Sequence, residues 1–103
     1  MINVKPNVVF HPETWKNPAM WQIIQAVVET SPSGYTPTIT SGVEGRHSVN
    51  PWSKHYTGEA IDFRIRDFTG SPQLWAEAIE KKLGDEYFVL LELTHLHIHW
   101  RGE

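Results

Sequence analysis

The sequence predicts an α+β domain, with two helices packed against a small, mostly antiparallel sheet. Three observations carry this expectation. Residues 17–30 and 71–84 place apolar side chains at helical spacing, while residues 60–65 and 95–100 alternate apolar and polar as strands do. Between these segments lie runs of Ser, Pro, Asn and Gly that form turns. The chain has 103 residues, 40% hydrophobic and 20% charged, which is the size and mixture of a single domain, 1–103, with one modest core.

In chain order, Val8-Val9-Phe10 reads as a short edge strand ahead of Pro12. Asn17 followed by Pro18 gives an N-cap and first helical position, and Met20, Trp21, Ile24, Val27 and Val28 form the apolar stripe of a helix ending at Thr30. Thr38-Ile39-Thr40 is a second short strand, and residues 41–53 form a polar loop. Residues 60–65 make a half-buried strand. Ser71-Pro72 then caps a second helix with Leu74, Trp75, Ala78, Ile79 and Leu83 on one face and Gly84 at its end. Trp21 and Trp75 are expected in the core. Tyr87-Phe88-Val89-Leu90-Leu91 is a continuous apolar run, expected as a strand buried on both faces, and residues 95–100 are the last strand.

Composition removes several function classes. Twelve acidic and nine basic residues leave a net charge of −3, which argues against nucleic acid or an anionic membrane as partner. Without cysteine, disulfides and thiolate metal sites are excluded. No apolar run approaches the ~20 residues of a membrane span, and Met1-Ile2-Asn3-Val4-Lys5-Pro6 lacks the apolar segment of a signal peptide.

The chemistry-bearing residues concentrate in two places. In His95-Leu96-His97-Ile98-His99-Trp100 the three imidazoles share one strand face, alternate ones being about 6.6 Å apart. Neighbours in that row can approach one small site, but His95 and His99, about 13 Å apart, cannot both join a single ion with His97. In Ser53-Lys54-His55-Tyr56-Thr57-Gly58-Glu59-Ala60-Ile61-Asp62, a loop His and a strand Asp stand seven residues apart. Asp62 among apolar neighbours needs a partner, either a cation, Arg64 (which shares its face) or Arg66, or a metal ion. Two His and one Asp supply the three protein ligands of a catalytic zinc site with water in the fourth position.

Ser53-x-His55-x-x-Gly58-x-Ala60-x-Asp62, followed by His95-x-His97, resembles the paired signature of the D-alanyl-D-alanine metallopeptidase family. That family includes zinc carboxypeptidases and phage endolysins that cut peptidoglycan peptides, and the zinc domain of hedgehog signalling proteins is related. The resemblance runs from about residue 39 to 100 and implies a hedgehog-like α+β fold, with Zn2+ on His55, Asp62 and His97. Two other registers stay open: His97-x-His99 would make His99 the ligand, and Glu92-x-x-His95 would make it His95. The resemblance further implies Glu92 as the base and His95 as a group touching the substrate or oxyanion. Glu92 lies on the opposite parity from the histidines, so a turn or bulge at Leu93-Thr94 is needed to bring it to the site.

Ser53, His47 and Arg46 are expected near the substrate, with Trp52 as a cleft wall; Glu44 stands where many relatives carry a substrate-binding Arg. His11 lies outside both motifs and is given no role. The expectation is thus a metallopeptidase acting on peptidoglycan peptides, of the kind a phage or prophage makes in the host cytoplasm for action at the cell wall. The same scaffold also serves as an inactive recognition module or a structural virion protein. Oligomeric state is left open.

Overall fold

The computed structural model of the chain describes residues 1–43 and 57–102. Its strands are β1 (Asn3–Val4), β2 (Thr38–Ser41), β3 (Ala60–Arg64), β4 (Tyr87–Leu91) and β5 (His95–Trp100); its helices are α1 (Pro18–Thr30) and α2 (Pro72–Leu83). The sheet order is β1-β2-β3-β5-β4, with β1 parallel to β2 and every other pair antiparallel. The α+β class with a mostly antiparallel sheet therefore holds.

Local signals set both helices. Asn17 accepts a hydrogen bond from the Ala19 amide ahead of Pro18, and Ser71 accepts one from the Leu74 amide ahead of Pro72. Gly84 closes α2 at φ +82°, where a side chain would be strained. The buried faces differ from the expected stripes by a rotation. In α1 the core takes Met20, Ile23, Ala26 and Val27 and leaves Trp21 53% exposed; in α2 it takes Trp75, Ala76 and Ile79 and leaves Leu74 and Ala78 outside. In α1 the small Ala26 allows close approach, and Trp75 bridges the helices through its indole N–H to the Thr30 hydroxyl (3.0 Å).

Three strand expectations change. Residues 8–10 form no strand; the edge strand is β1, five residues earlier, and the Val9 carbonyl accepts from the Val43 amide. Gly42 packs so tightly there that a Cβ would collide with the Val9 carbonyl. β4 is the far edge of the sheet, with Leu90 exposed, and is not buried on both faces. β3 is a central strand with Ala60, Ile61, Asp62 and Phe63 all buried, so alternation there marks two different buried environments rather than core and solvent.

Parity then divides the sheet. Ile61, Phe63, Leu96 and Ile98, each fully buried, meet α1 and α2 on one face together with Ile39 and Tyr87. Such side chains carry the core; truncating one the size of Phe63 to Ala costs about 3–5 kcal/mol. The opposite face carries Asp62, Arg64 and the three histidines of β5.

Gly58, which belongs to the first motif, has φ +80°, and a Cβ on it would lie 2.5 Å from His11 Cβ and 2.7 Å from Thr14 Oγ1. The Thr14 hydroxyl donates to the Gly58 carbonyl at 3.0 Å, fixing this approach. His11, without a role from sequence, is thus a packing partner of the motif glycine.

Gly34 shares the positive φ but has open space around it, so the two glycines separate strain from collision. Gly34→Ala should cost about 1 kcal/mol and Gly58→Ala at least about 2 kcal/mol in urea unfolding. A second expectation concerns Tyr35, which packs edge-on to Phe68 and Trp75 and donates to Asp67 at 2.9 Å. Burial first, then the Asp67 contact, push its phenol up to about 12. Between the ordinary value and 12 the folded chain keeps a proton that the unfolded chain loses, so this contribution to stability falls as pH rises through that window. Ultraviolet titration should show one fewer late phenol transition in Tyr35→Phe than in wild type, the Tyr87 phenol, also raised by burial, remaining in both.

Candidate metal centre

The register of the two central strands builds the site. β3 and β5 pair so that Asp62 faces His97, Arg64 faces His95 and Ala60 faces His99. Directly opposed residues in an antiparallel pair point to the same side, so the carboxylate and the imidazoles are brought together by backbone geometry. β2 adds Ser41 opposite Asp62, because a one-residue irregularity after Ile39 shifts its register.

Asp62 is 6% exposed. His97 Nδ1 lies 3.1 Å from its Oδ1 and His95 Nε2 lies 3.5 Å from its Oδ2. Since an ionised carboxylate can only accept, His97 donates from Nδ1; its Nε2 shares a hydrogen bond of 2.8 Å with His99 Nδ1. The alternative cation, Arg64, reaches Asp67 instead, at 3.9 Å. Each hydrogen bond to a charged group is worth about 1.5–3 kcal/mol net, whereas a buried carboxylate stripped of its partners costs several kcal/mol. The site therefore holds Asp62 in place through imidazoles.

Glu92 joins this group by the turn its parity requires. β4 and β5 form a hairpin with Leu91 opposite Leu96 and Leu93-Thr94 as the connection, and the Glu92 amide donates to the His95 carbonyl at 2.9 Å. Glu92 is consequently opposed to His95 across two strands rather than out of phase within one. Its Oε1 lies 3.2 Å from His95 Nε2, and the Thr94 hydroxyl lies 3.0 Å from His95 Nδ1. The carboxylate can only accept, so Nε2–H donates to it, and the Thr94 hydroxyl holds the other ring nitrogen. At the other end of the row, His99 packs on Phe88 (centroids 4.9 Å apart), which in turn lies 5.5 Å under the Arg101 guanidinium.

Of the residues expected from sequence, Asp62, Glu92, His95 and His97 come together on one face of the sheet. Arg46, His47, Trp52, Ser53 and His55 lie outside the described residues. Among the described residues no group of three His, Asp or Glu is arranged to hold a metal ion. Asp62 and His97 are side chains of the types zinc takes, and their 3.1 Å separation is that of a direct hydrogen bond. Binding there would displace the proton that His97 now donates to Asp62.

Sequence reasoning missed Lys5 and saw Arg66 only as a possible partner of Asp62 and Thr94 only as part of the turn; all three line a cleft opening from Asp62 and His95. The signal for Thr94 was present, since two residues between an apolar run and an alternating strand form a hairpin connection; nothing local marks Lys5, which reaches the site through the parallel β1–β2 pair. No helix among the described residues is long and apolar enough to cross a membrane. The chain matches none of the protein-family models, curated proteins or solved structures with which it was compared.

The Asp62–His97 contact should appear as coupling. In a double-mutant cycle of Asp62→Asn and His97→Ala, read by urea unfolding of metal-free protein, the two losses should fall short of additivity by at least about 1 kcal/mol.

Proposed function

We propose that the chain is a zinc metallopeptidase hydrolysing peptide bonds of peptidoglycan, in the manner of a phage or prophage lytic enzyme. The observation that carries this reading is the apposition of Asp62 and His97, 3.1 Å apart on adjacent central strands, with Glu92 and His95 beside them on the same face. The motif resemblance adds His55 as the third ligand.

Zinc bound there would polarise the scissile carbonyl and make water a stronger acid. The chain's own residues do the rest. Glu92, at the mouth of the hairpin turn, takes the proton of the attacking water and returns it to the leaving amine. His95 Nε2, which faces Glu92 in the resting site, turns its proton to the forming oxyanion once Glu92 has taken up the proton of the water. His99 orients His97 through the 2.8 Å contact and is itself braced by Phe88. The contact distances favour His97 over His95 as the ligand, since its Nδ1 lies 3.1 Å from the Asp62 carboxylate against 3.5 Å for His95 Nε2.

Metal analysis of the purified protein decides the register. One zinc per chain is expected in wild type and in His99→Ala and His95→Ala, with loss in His97→Ala; no zinc in reconstituted wild type would remove the peptidase reading. Glu92→Gln should keep the zinc and lower turnover of wall peptides at least 100-fold. Full turnover in that variant would move the base elsewhere, and zinc without turnover in wild type would favour a recognition or structural role.

A further inference from the structure

β4 ends the sheet on one side, with no strand beyond it among the described residues. The Glu92 amide donates to the His95 carbonyl and the Arg101 amide to the Glu86 carbonyl. Even positions of β4 therefore turn their backbone groups toward β5, and odd positions turn theirs outward. Tyr87 satisfies its own groups locally: its amide donates to the Gly84 carbonyl at 3.3 Å, and its carbonyl accepts from Arg101 Nε at 3.4 Å. The outward N–H and C=O groups of Val89 and Leu91 have no partner among the described residues. Sheets defend such edges with charge, proline or a bulge, and Tyr87–Leu91 has none of these. The opposite edge is defended, since β1 is two residues long and runs into Lys5-Pro6. Leu90, 42% exposed, and the half-buried Phe88 add apolar surface beside the free groups.

We infer that this edge pairs with a second copy of the chain, β4 against β4 about a two-fold axis at Leu90, in one continuous antiparallel sheet. A two-fold axis requires the strand to complement itself, and among the alignments that bring outward groups face to face one does so. Centred on Val89, the pairing leaves Leu91 only the satisfied groups of Tyr87 and sets Glu86 against Glu92. Centred on Leu91, it carries Val89 onto Leu93 in the hairpin turn. Centred on Leu90, it sets Val89 against Leu91 of the second copy, and every outward group is paired. Leu90 then opposes its own copy at the closer antiparallel spacing, about 4.5 Å between Cα atoms, where apolar side chains touch. Charge agrees with this alignment. Glu92 falls opposite Phe88 of the second copy, and the Arg101 guanidinium lies 5.5 Å over that ring, so carboxylate and cation meet across the axis. Glu86 falls opposite Thr94, so no carboxylate faces another. An isologous contact of this kind consumes the free edge of both copies and stops at two chains. It is independent of the peptidase reading, since it draws on neither zinc nor turnover.

The experiment follows the full chain, as purified, through a concentration series by sedimentation equilibrium and by amide hydrogen exchange in NMR spectra. One strand pair is a small interface, so a Kd of about 10–100 μM is expected, with a mass at high concentration of twice the 11.9 kDa of one chain. The Val89 and Leu91 amides should slow at least about tenfold from the dilute to the concentrated end. The Val4 amide is the control: Asn3 and Lys5 donate to β2 and its neighbourhood, so Val4 points outward on the other edge and should stay fast. Leu90→Lys sets like charges together on the axis and should return a monomer with wild-type circular dichroism, Leu90 being exposed. Arg101→Glu, which opposes Glu92 instead of attracting it, should weaken the dimer about tenfold. A chain that stays monomeric throughout overturns the inference. So does a dimer whose Val89 and Leu91 amides exchange as fast as Val4, or one left undiminished by either substitution. Protection of these amides only on addition of soluble wall peptide also overturns it, and gives the edge to a substrate strand instead.

Discussion

A carboxylate placed on the middle strand of a five-stranded sheet, 6% exposed, is the constraint around which the open face is organised. Left alone, Asp62 would cost several kcal/mol, a large part of what a domain of this size has in hand. The compensation comes from β5, whose His97 is opposed to it by register and whose His95 lies on its other oxygen. Imidazoles compensate a carboxylate differently from an arginine. They leave ring nitrogens of the kind that ligate metals, and this is the property on which the proposed function draws.

The division of labour between the two sheet faces follows from the same register. On β5 the even positions, Leu96 and Ile98, are fully buried against the helices, while the odd positions carry chemistry. The hairpin extends this to β4, so that Phe88, Leu90 and Glu92 stand opposite His99, His97 and His95. Helix packing on one face thus fixes, at a distance, the positions of side chains on the other. Gly58 performs a comparable task on the connection into β3, where its missing side chain admits His11 and Thr14.

Much of this was legible from residues alone. Both helices, their caps and the last strand could be read because Asn17-Pro18, Ser71-Pro72 and the alternation of residues 95–100 are local signals. The faces of the helices were less legible, since Trp21 is apolar by composition but half-exposed, its indole N–H satisfied by the Trp15 carbonyl. Residues 8–10 have strand propensity, but the parallel pairing with β2 is taken by Asn3 and Val4, and propensity does not say which segment wins an edge. The partnership of Asp62 with His97 was legible as a candidate ligand pair; the role of the hairpin in turning Glu92 inward was legible only as a requirement. The cationic walls of the cleft beside Asp62 were not legible, because Lys5 and Arg66 are sixty-one positions apart and meet only through the sheet.

The two-residue turn at Leu93-Thr94 has one more consequence. Because the side-chain period of a strand is two, a slip of one residue in the β4–β5 hairpin would drive His95, His97 and His99 into the core and push Leu96 and Ile98 out to water. The energetic gap between the two alignments is set by hydrophobic burial and owes nothing to catalysis or metal. The core therefore acts as a proofreader of the site: a chain that mispairs the hairpin forfeits its stability before it can assemble a miswired row of imidazoles, and every molecule that folds presents the same one.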